Sequence, residues 1–165
     1  MANNLKTTTM AWGSPGRYIQ GPGELMNLPQ YTLKYGENVF VVIDQFFFED
    51  LTEKLSALYK DCSGKLLTAV FNTEVSEEQI AAKTAEAGKI SPNVIVGIGG
   101  GKTLDTAKAV ADDLKIPVII VPTSASTDAP TSSLSVIYKP DGEHSHARHY
   151  IKNPDLVLID SKIIA

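Results

Sequence analysis

The sequence predicts an α/β fold: a parallel sheet covered by helices on both faces, with an antiparallel hairpin added late in the chain. Three observations carry this. Short β-branched, apolar runs, such as Val39-Phe40-Val41-Val42-Ile43, are apolar on both faces, as strands buried in a parallel sheet are. These runs alternate with helix-length amphipathic or alanine-rich stretches. A cluster of glycines, Gly99-Gly100-Gly101, stands between one such run and the helix after it.

In order, a Gly/Pro-rich entry around Arg17-Tyr18-Ile19-Gln20 leads to the first strand, 38–44, bounded by Asn38 and Asp44. A helix follows over 48–59, then a strand over 65–71 and an alanine-rich helix over 77–87. The run 94–98 is a third strand entering the glycine turn. The helix predicted over 103–114 places Leu104, Ala107, Val110 and Ala111 on one face. The strand 118–121 stops at Pro122, which cannot donate to a ladder. Then the pattern changes: 134–138 and 145–151, joined by the polar Lys-Pro-Asp-Gly turn at 139–142, read as an antiparallel hairpin. Leu156 to Asp160 is a last strand, and the tail Ser161-Lys162-Ile163-Ile164-Ala165 is apolar and uncapped, which reads as a chain that is cut rather than finished. The whole is a Rossmann-like arrangement in one domain spanning 1–165.

Composition narrows function. The 165 residues are 43% hydrophobic and 21% charged, enough apolar material for a core. A net charge of −4, with lysines scattered among acids, provides no basic stripe for nucleic acid or an anionic membrane. The N-terminal MANNLKTTTMAWG lacks the apolar segment of a signal peptide, and no apolar run exceeds strand length, so no membrane span is expected. The single cysteine, Cys62, forms no internal disulfide, which suits a reducing cytoplasm.

The chemistry should gather at the carboxyl ends of the strands, where doubly wound sheets bind ligands. Asp44, Gly99 to Gly101 and Thr123 to Asp128 all fall at such ends. A strand running through glycines into a helix aims backbone N–H groups and the positive helix end at an anion; Lys102 adds charge, and Asp105 complements the dipole from the first helical turn. A tight turn without a ligand is the alternative, although an ordinary βα turn rarely needs three glycines in a row. The spacing is not a Walker A loop, since Val96 stands where its first glycine belongs. It is not G-x-G-x-x-G either, since Lys102 or Leu104 takes the last place. Asp44 suits the two hydroxyls of an adenosine ribose and suits helix N-capping equally well. The hydroxyl-rich 122–133 stretch has the composition of an ordinary Ser/Thr loop. His144, His146 and His149 lie in a hairpin with no second cluster of metal-ligating residues, which favours a solvated face over a metal site.

Three segments, GIGGGKTLDTAKAVADDL, PTSASTDAPTSSLSVIY and NPDLVLIDSKIIA, together resemble the iron-containing (group III) alcohol dehydrogenase family, in particular its glycerol-oxidising members. The resemblance covers nearly the whole chain. It implies the N-terminal, dehydroquinate synthase-like nucleotide-binding domain of an NAD-dependent enzyme that oxidises glycerol, or a similar small vicinal diol, to dihydroxyacetone. By position, it implies that Asp44 binds the ribose and that Gly99, Gly100, Gly101, Lys102 and Asp105 form the pyrophosphate turn. Thr123, Ser126, Ser132, Leu134 and Tyr138 would line the rest of the dinucleotide site, and Asp128 would contact the polyol. The family also has a C-terminal helical domain and a divalent metal, usually zinc, between the two. Its metal ligands would lie beyond Ala165, none of the three histidines matches them, and no metal ligand is expected in this chain. The expectations are therefore a nucleotide-binding half, inactive alone, that forms a homo-oligomer or associates with the missing half. A non-catalytic NAD-binding or subunit-interaction module is the alternative; a P-loop phosphotransferase would need the Walker spacing that is missing.

Overall fold

Six parallel strands form the sheet in the order β1 (Tyr18–Gly21), β8 (Leu156–Asp160), β5 (Val118–Pro122), β4 (Val94–Gly99), β2 (Val39–Asp44) and β3 (Leu66–Phe71), and β6 (Leu134–Tyr138) and β7 (His144–His149) pair separately as an antiparallel ribbon. The computed structural model describes residues 12–139 and 141–164. The N-terminal MANNLKTTTMA stretch, Pro140 of the predicted turn and Ala165 lie outside the described residues.

The predicted strands and helices form close to where the sequence places them, though the exposed second strand of the hairpin spans His144–His149 and stops short of the predicted Ile151. They are β2 (Val39–Asp44), α2 (Phe48–Leu58), β3 (Leu66–Phe71), α3 (Glu77–Gly88), β4 (Val94–Gly99), α4 (Gly101–Leu114), β5 (Val118–Pro122), β6 (Leu134–Tyr138), β7 (His144–His149) and β8 (Leu156–Asp160). Ser76 caps α3, its hydroxyl accepting from Gln79 N at 3.3 Å. The tail forms one helical turn, α5 (Ser161–Ile164), directly after β8.

The entry segment differs from its prediction. Tyr18–Gly21 is an edge strand, β1, paired in parallel with β8, followed by a 3-10 turn at Glu24–Asn27 and a short helix, α1 (Leu28–Thr32). Four residues without an apolar run leave no periodic signal. The strand exists because β8 offers it a ladder.

Strand alternation divides the core between the two faces. Phe40, Val42, Ile95, Ile120 and Val157 pack with Ile80 of α3 and with Leu104, Ala107 and Val110 of α4. Val39, Val41, Ile43, Val96, Ile98, Val121 and Leu158 pack on the other face with Leu51 and Leu55 of α2 and with Leu25 and Leu28. At Gly97 a Cβ would lie 2.6 Å from the Ala107 Cβ, so only glycine lets α4 seat this close to the sheet.

α4 is more enclosed than a one-faced helix. Residues 103–111 are all buried, because α3 and the β6–β7 ribbon cover the sides that the sheet leaves open. The helix also begins at Gly101, two residues earlier than the apolar pattern suggests. Asp105 therefore sits beyond the first turn, where it cannot complement the positive helix end.

Candidate functional site

The chain runs from β2 to β3 at one edge and then returns to β4 on the opposite flank of β2. This reversal opens a crevice at the carboxyl ends of β2 and β4, the position where doubly wound sheets place ligands. Asp44 ends β2 and Gly99 ends β4, so close that a Cβ on Gly99 would stand 2.9 Å from the Asp44 Cβ.

Asp44 does not cap a helix. Its Oδ1 accepts from Phe46 N at 3.0 Å in the turn after β2, while α2 is entered through Phe47 with no side-chain cap. Its Oδ2 accepts from the Thr103 hydroxyl of α4 at 3.4 Å. Each oxygen keeps a further lone pair, and the carboxylate is only partly buried. Thr103 fixes Asp44 against the glycine turn, a role invisible in the sequence because 59 positions separate the two.

Gly100 is the N-cap of α4, and no side chain caps this end of the helix. A Cβ on Gly100 would meet no protein atom within 4 Å. The backbone here is open to a visitor, and the uncapped first turn supplies N–H donors and the positive end of the dipole. The Lys102 ammonium is held by Glu74, another residue that sequence reasoning missed, and stands 5.9 Å from the Tyr138 ring centroid.

From the glycine turn a pocket of about 170 Å³ extends between the start of α4 and the segment after β5. Gly101, Lys102 and Asp105 line one wall; Thr127, Asp128, Ser132, Leu134 and Tyr138 line the other. Seven of the residues singled out in the sequence thus meet around one cavity, although they come from three segments. Asp44, Gly99 and Gly100 form the adjoining crevice. Thr123 and Ser126 stand on the intervening loop, where Thr123 N donates to Gly99 O at 3.0 Å and the Ser126 and Ser124 hydroxyls lie 2.7 Å apart. They line neither this pocket nor the cleft of about 390 Å³ beside it, formed by Tyr18, Gln20, Ser124, Thr127, Thr131 and Ile159.

Asp105 faces inward as well as toward the pocket. Its Oδ2 accepts from Val136 N at 3.0 Å, and its Oδ1 lies 2.9 Å from Lys108 Nζ, a charge contact without the alignment of a hydrogen bond. Burial pushes the Asp105 carboxyl above its usual value and the Lys108 ammonium below its own, each partly offset by attraction to the other.

A larger apolar groove, about 580 Å³, lies at the opposite, amino-terminal end of β5 against Ala111, Ile116 and Tyr150, away from the switch point. Lys108, Asp112, Lys115, Lys152 and Asn153 also line it, but it lies away from the carboxyl ends of the strands, and we assign the site to the crevice instead. Among the described residues no three His, Cys, Asp or Glu side chains converge as a metal site requires, and the histidine hairpin is no exception: His146 Nε2 faces Glu77 Oε1 at 3.3 Å. No described helix is long and apolar enough to cross a membrane.

The fold and crevice define a doubly wound α/β domain with a glycine-turn site at its switch point. The chain belongs to the iron-containing alcohol dehydrogenase family, whose model matches residues 15–161. A glycerol dehydrogenase of Thermotoga maritima is 47% identical over 152 residues, covering 92% of this chain and 41% of that protein. A glycolaldehyde reductase of Halobacterium salinarum is 36% identical over 161 residues, covering 95% of this chain and 43% of that protein. Among solved structures, glycerol dehydrogenase from Schizosaccharomyces pombe superposes with a TM-score of 0.78 at 34% identity, over 96% of this chain and 40% of the other. The chain thus spans well under half the length of these relatives.

Proposed function

We propose that this chain is the nucleotide-binding half of an NAD-dependent polyol dehydrogenase that oxidises glycerol or a similar small vicinal diol. In that reaction a hydride passes from the secondary carbon to the nicotinamide and the hydroxyl proton is released, leaving dihydroxyacetone. The observation that carries the reading is the pairing of Asp44 with the open backbone at Gly100, side by side at the switch point. In this reading Asp44 accepts the ribose hydroxyls, and Gly99, Gly100, Gly101 and Lys102 receive the pyrophosphate. Ser132, Leu134 and Tyr138 enclose the remainder of the dinucleotide, with Asp105 behind them and Thr123 and Ser126 on the loop beside the pocket. Asp128, exposed at the pocket rim, meets the polyol.

The family likeness supports polyol chemistry, and the glycolaldehyde reductase supports a small hydroxylated substrate. The described residues do not fit a catalytic metal, so no step is routed through one. In this reading the domain 1–165 binds cofactor, remains catalytically silent without a metal-bearing partner domain, and works in the cytoplasm as part of a larger assembly.

Titration of the chain with NAD and NADP tests the nucleotide site directly. The Asp44 carboxylate repels a 2′-phosphate and loses its hydroxyl partners to it, so NAD is expected to bind at least about tenfold more tightly. Equal affinities would remove Asp44 from the ribose, and failure to bind either would overturn the reading.

A further inference from the structure

Lys108 is the only buried cation among the described residues, and the nucleotide reading gives it no task. It sits on the second turn of α4, its side chain 2% exposed, and extends into the segment between β5 and β6. There its ammonium donates to Ala129 O at 2.9 Å, to the Ser132 hydroxyl at 3.2 Å and to Leu134 O. Asp105, one turn earlier, receives Val136 N on its carboxylate and the Ser135 hydroxyl on its carbonyl at 2.8 Å. The same segment carries Asp128, Ser132 and Leu134, which form the pocket wall facing the glycine turn.

We propose that Lys108 is a positioning residue. Resting on the nucleotide reading above, the proposal is that its ammonium, with Asp105 as counter-ion, holds segment 129–134 as the wall against which the non-adenosine part of the dinucleotide is seated. Free carbonyl groups in a loop have no fixed orientation, and one buried ammonium gathers several of them into a single arrangement. A lysine serves here because its charge is a compact point with three donors, one for each position that it ties. Asp44 and Gly99 belong to β2 and β4 and take nothing from this clamp.

The separation provides the test. AMP requires only Asp44 and the glycine turn, whereas NAD also requires the wall. Lys108→Met is expected to weaken NAD binding about tenfold or more, as misplaced positioning groups do, while AMP affinity stays within about twofold. Amide hydrogen exchange over residues 127–136 is expected to accelerate selectively in the same variant. Where Lys108→Met alone does not melt cooperatively, the double variant Lys108→Met/Asp105→Asn removes both charges of this buried pair, and its comparison with Asp105→Asn isolates Lys108. Parallel loss of NAD and AMP affinity would show a merely structural lysine, and unchanged exchange over 127–136 would remove the clamp altogether. Wild-type chain that binds neither ligand would overturn the nucleotide reading instead, with the exchange result still judging the clamp.

Discussion

Gly100 separates a ligand-bearing turn from a merely structural one. Its backbone lies in the extended region, which any residue adopts, and an added methyl group meets no protein atom. Gly100→Ala is therefore expected to change the melting temperature little and yet to abolish NAD binding, because the methyl group occupies the approach to the α4 N-terminus. Calorimetric titration beside a thermal melt checks both halves, and unaltered binding would mean that the turn holds nothing. Gly101 is a poorer probe, since a Cβ there already stands 3.3 Å from the Thr127 hydroxyl. Asp160 makes a different, structural prediction. Its carboxylate accepts from Gly23 N at 2.8 Å, Leu25 N at 3.0 Å and Lys162 N at 2.9 Å, pinning the turn after β1 to the end of β8. Burial alone would raise its pKa; these three donors and the Lys162 charge outweigh that and hold the carboxyl below its usual 3.8. A depressed folded-state pKa means stability that is fully present above 3.8 and lost as pH falls through the lower folded value. Asp160→Ala is expected to cost about 2–4 kcal/mol near neutral pH and to flatten the acid side of the stability curve, read by denaturant melts between pH 6 and about 2.

At the scale of elements, the joint between α4 and the β6–β7 ribbon is the informative one. Arg148 on β7 reaches Asp112 Oδ2 at 2.9 Å and also Asp113, both in the last turn of α4. Burial works against charge on both partners. Their mutual hydrogen bonds nevertheless raise the Arg148 pKa and depress that of Asp112. Since the guanidinium is partly solvated, Arg148→Ala should cost only about 1 kcal/mol. The loss should shrink in high salt and appear as faster exchange confined to the ribbon. The apolar period along α4 identified the face on the sheet but not the enclosure of the whole helix. Thr106, Asp105 and Lys108 look like a solvated face in sequence. They are buried because each finds an internal partner: Lys102 O at 3.0 Å for the Thr106 hydroxyl, and the 129–136 segment for the other two. Edge strand β1 was hidden for a related reason, since its pairing partner lies about 140 residues away in the chain.

For the whole molecule, the expectation is a chain that binds dinucleotide and does not turn over. Steady, metal-dependent NADH production from glycerol by the purified chain, free of longer enzyme, would contradict it. Exposed Phe46 beside the crevice, Tyr18 on β1 and Ile151 after the ribbon, with Trp12, Met26 and Leu33, are the exposed large apolar groups among the described residues and are available for contact with another domain or chain. By itself the sequence determined strands β2 to β5 and β8, helices α2 to α4, the hairpin and the glycine turn, and it named candidate site residues through the family likeness. Apolar periodicity and turn chemistry are local, so they survive in a one-dimensional reading. Only the tertiary structure decided the strand order that puts Asp44 beside Gly99, the earlier start of α4 that leaves its N-terminus open, and the burial of Lys108. Those depend on which distant segments meet, because a charge or a backbone donor is defined by the groups that surround it, and no spacing along the chain specifies them.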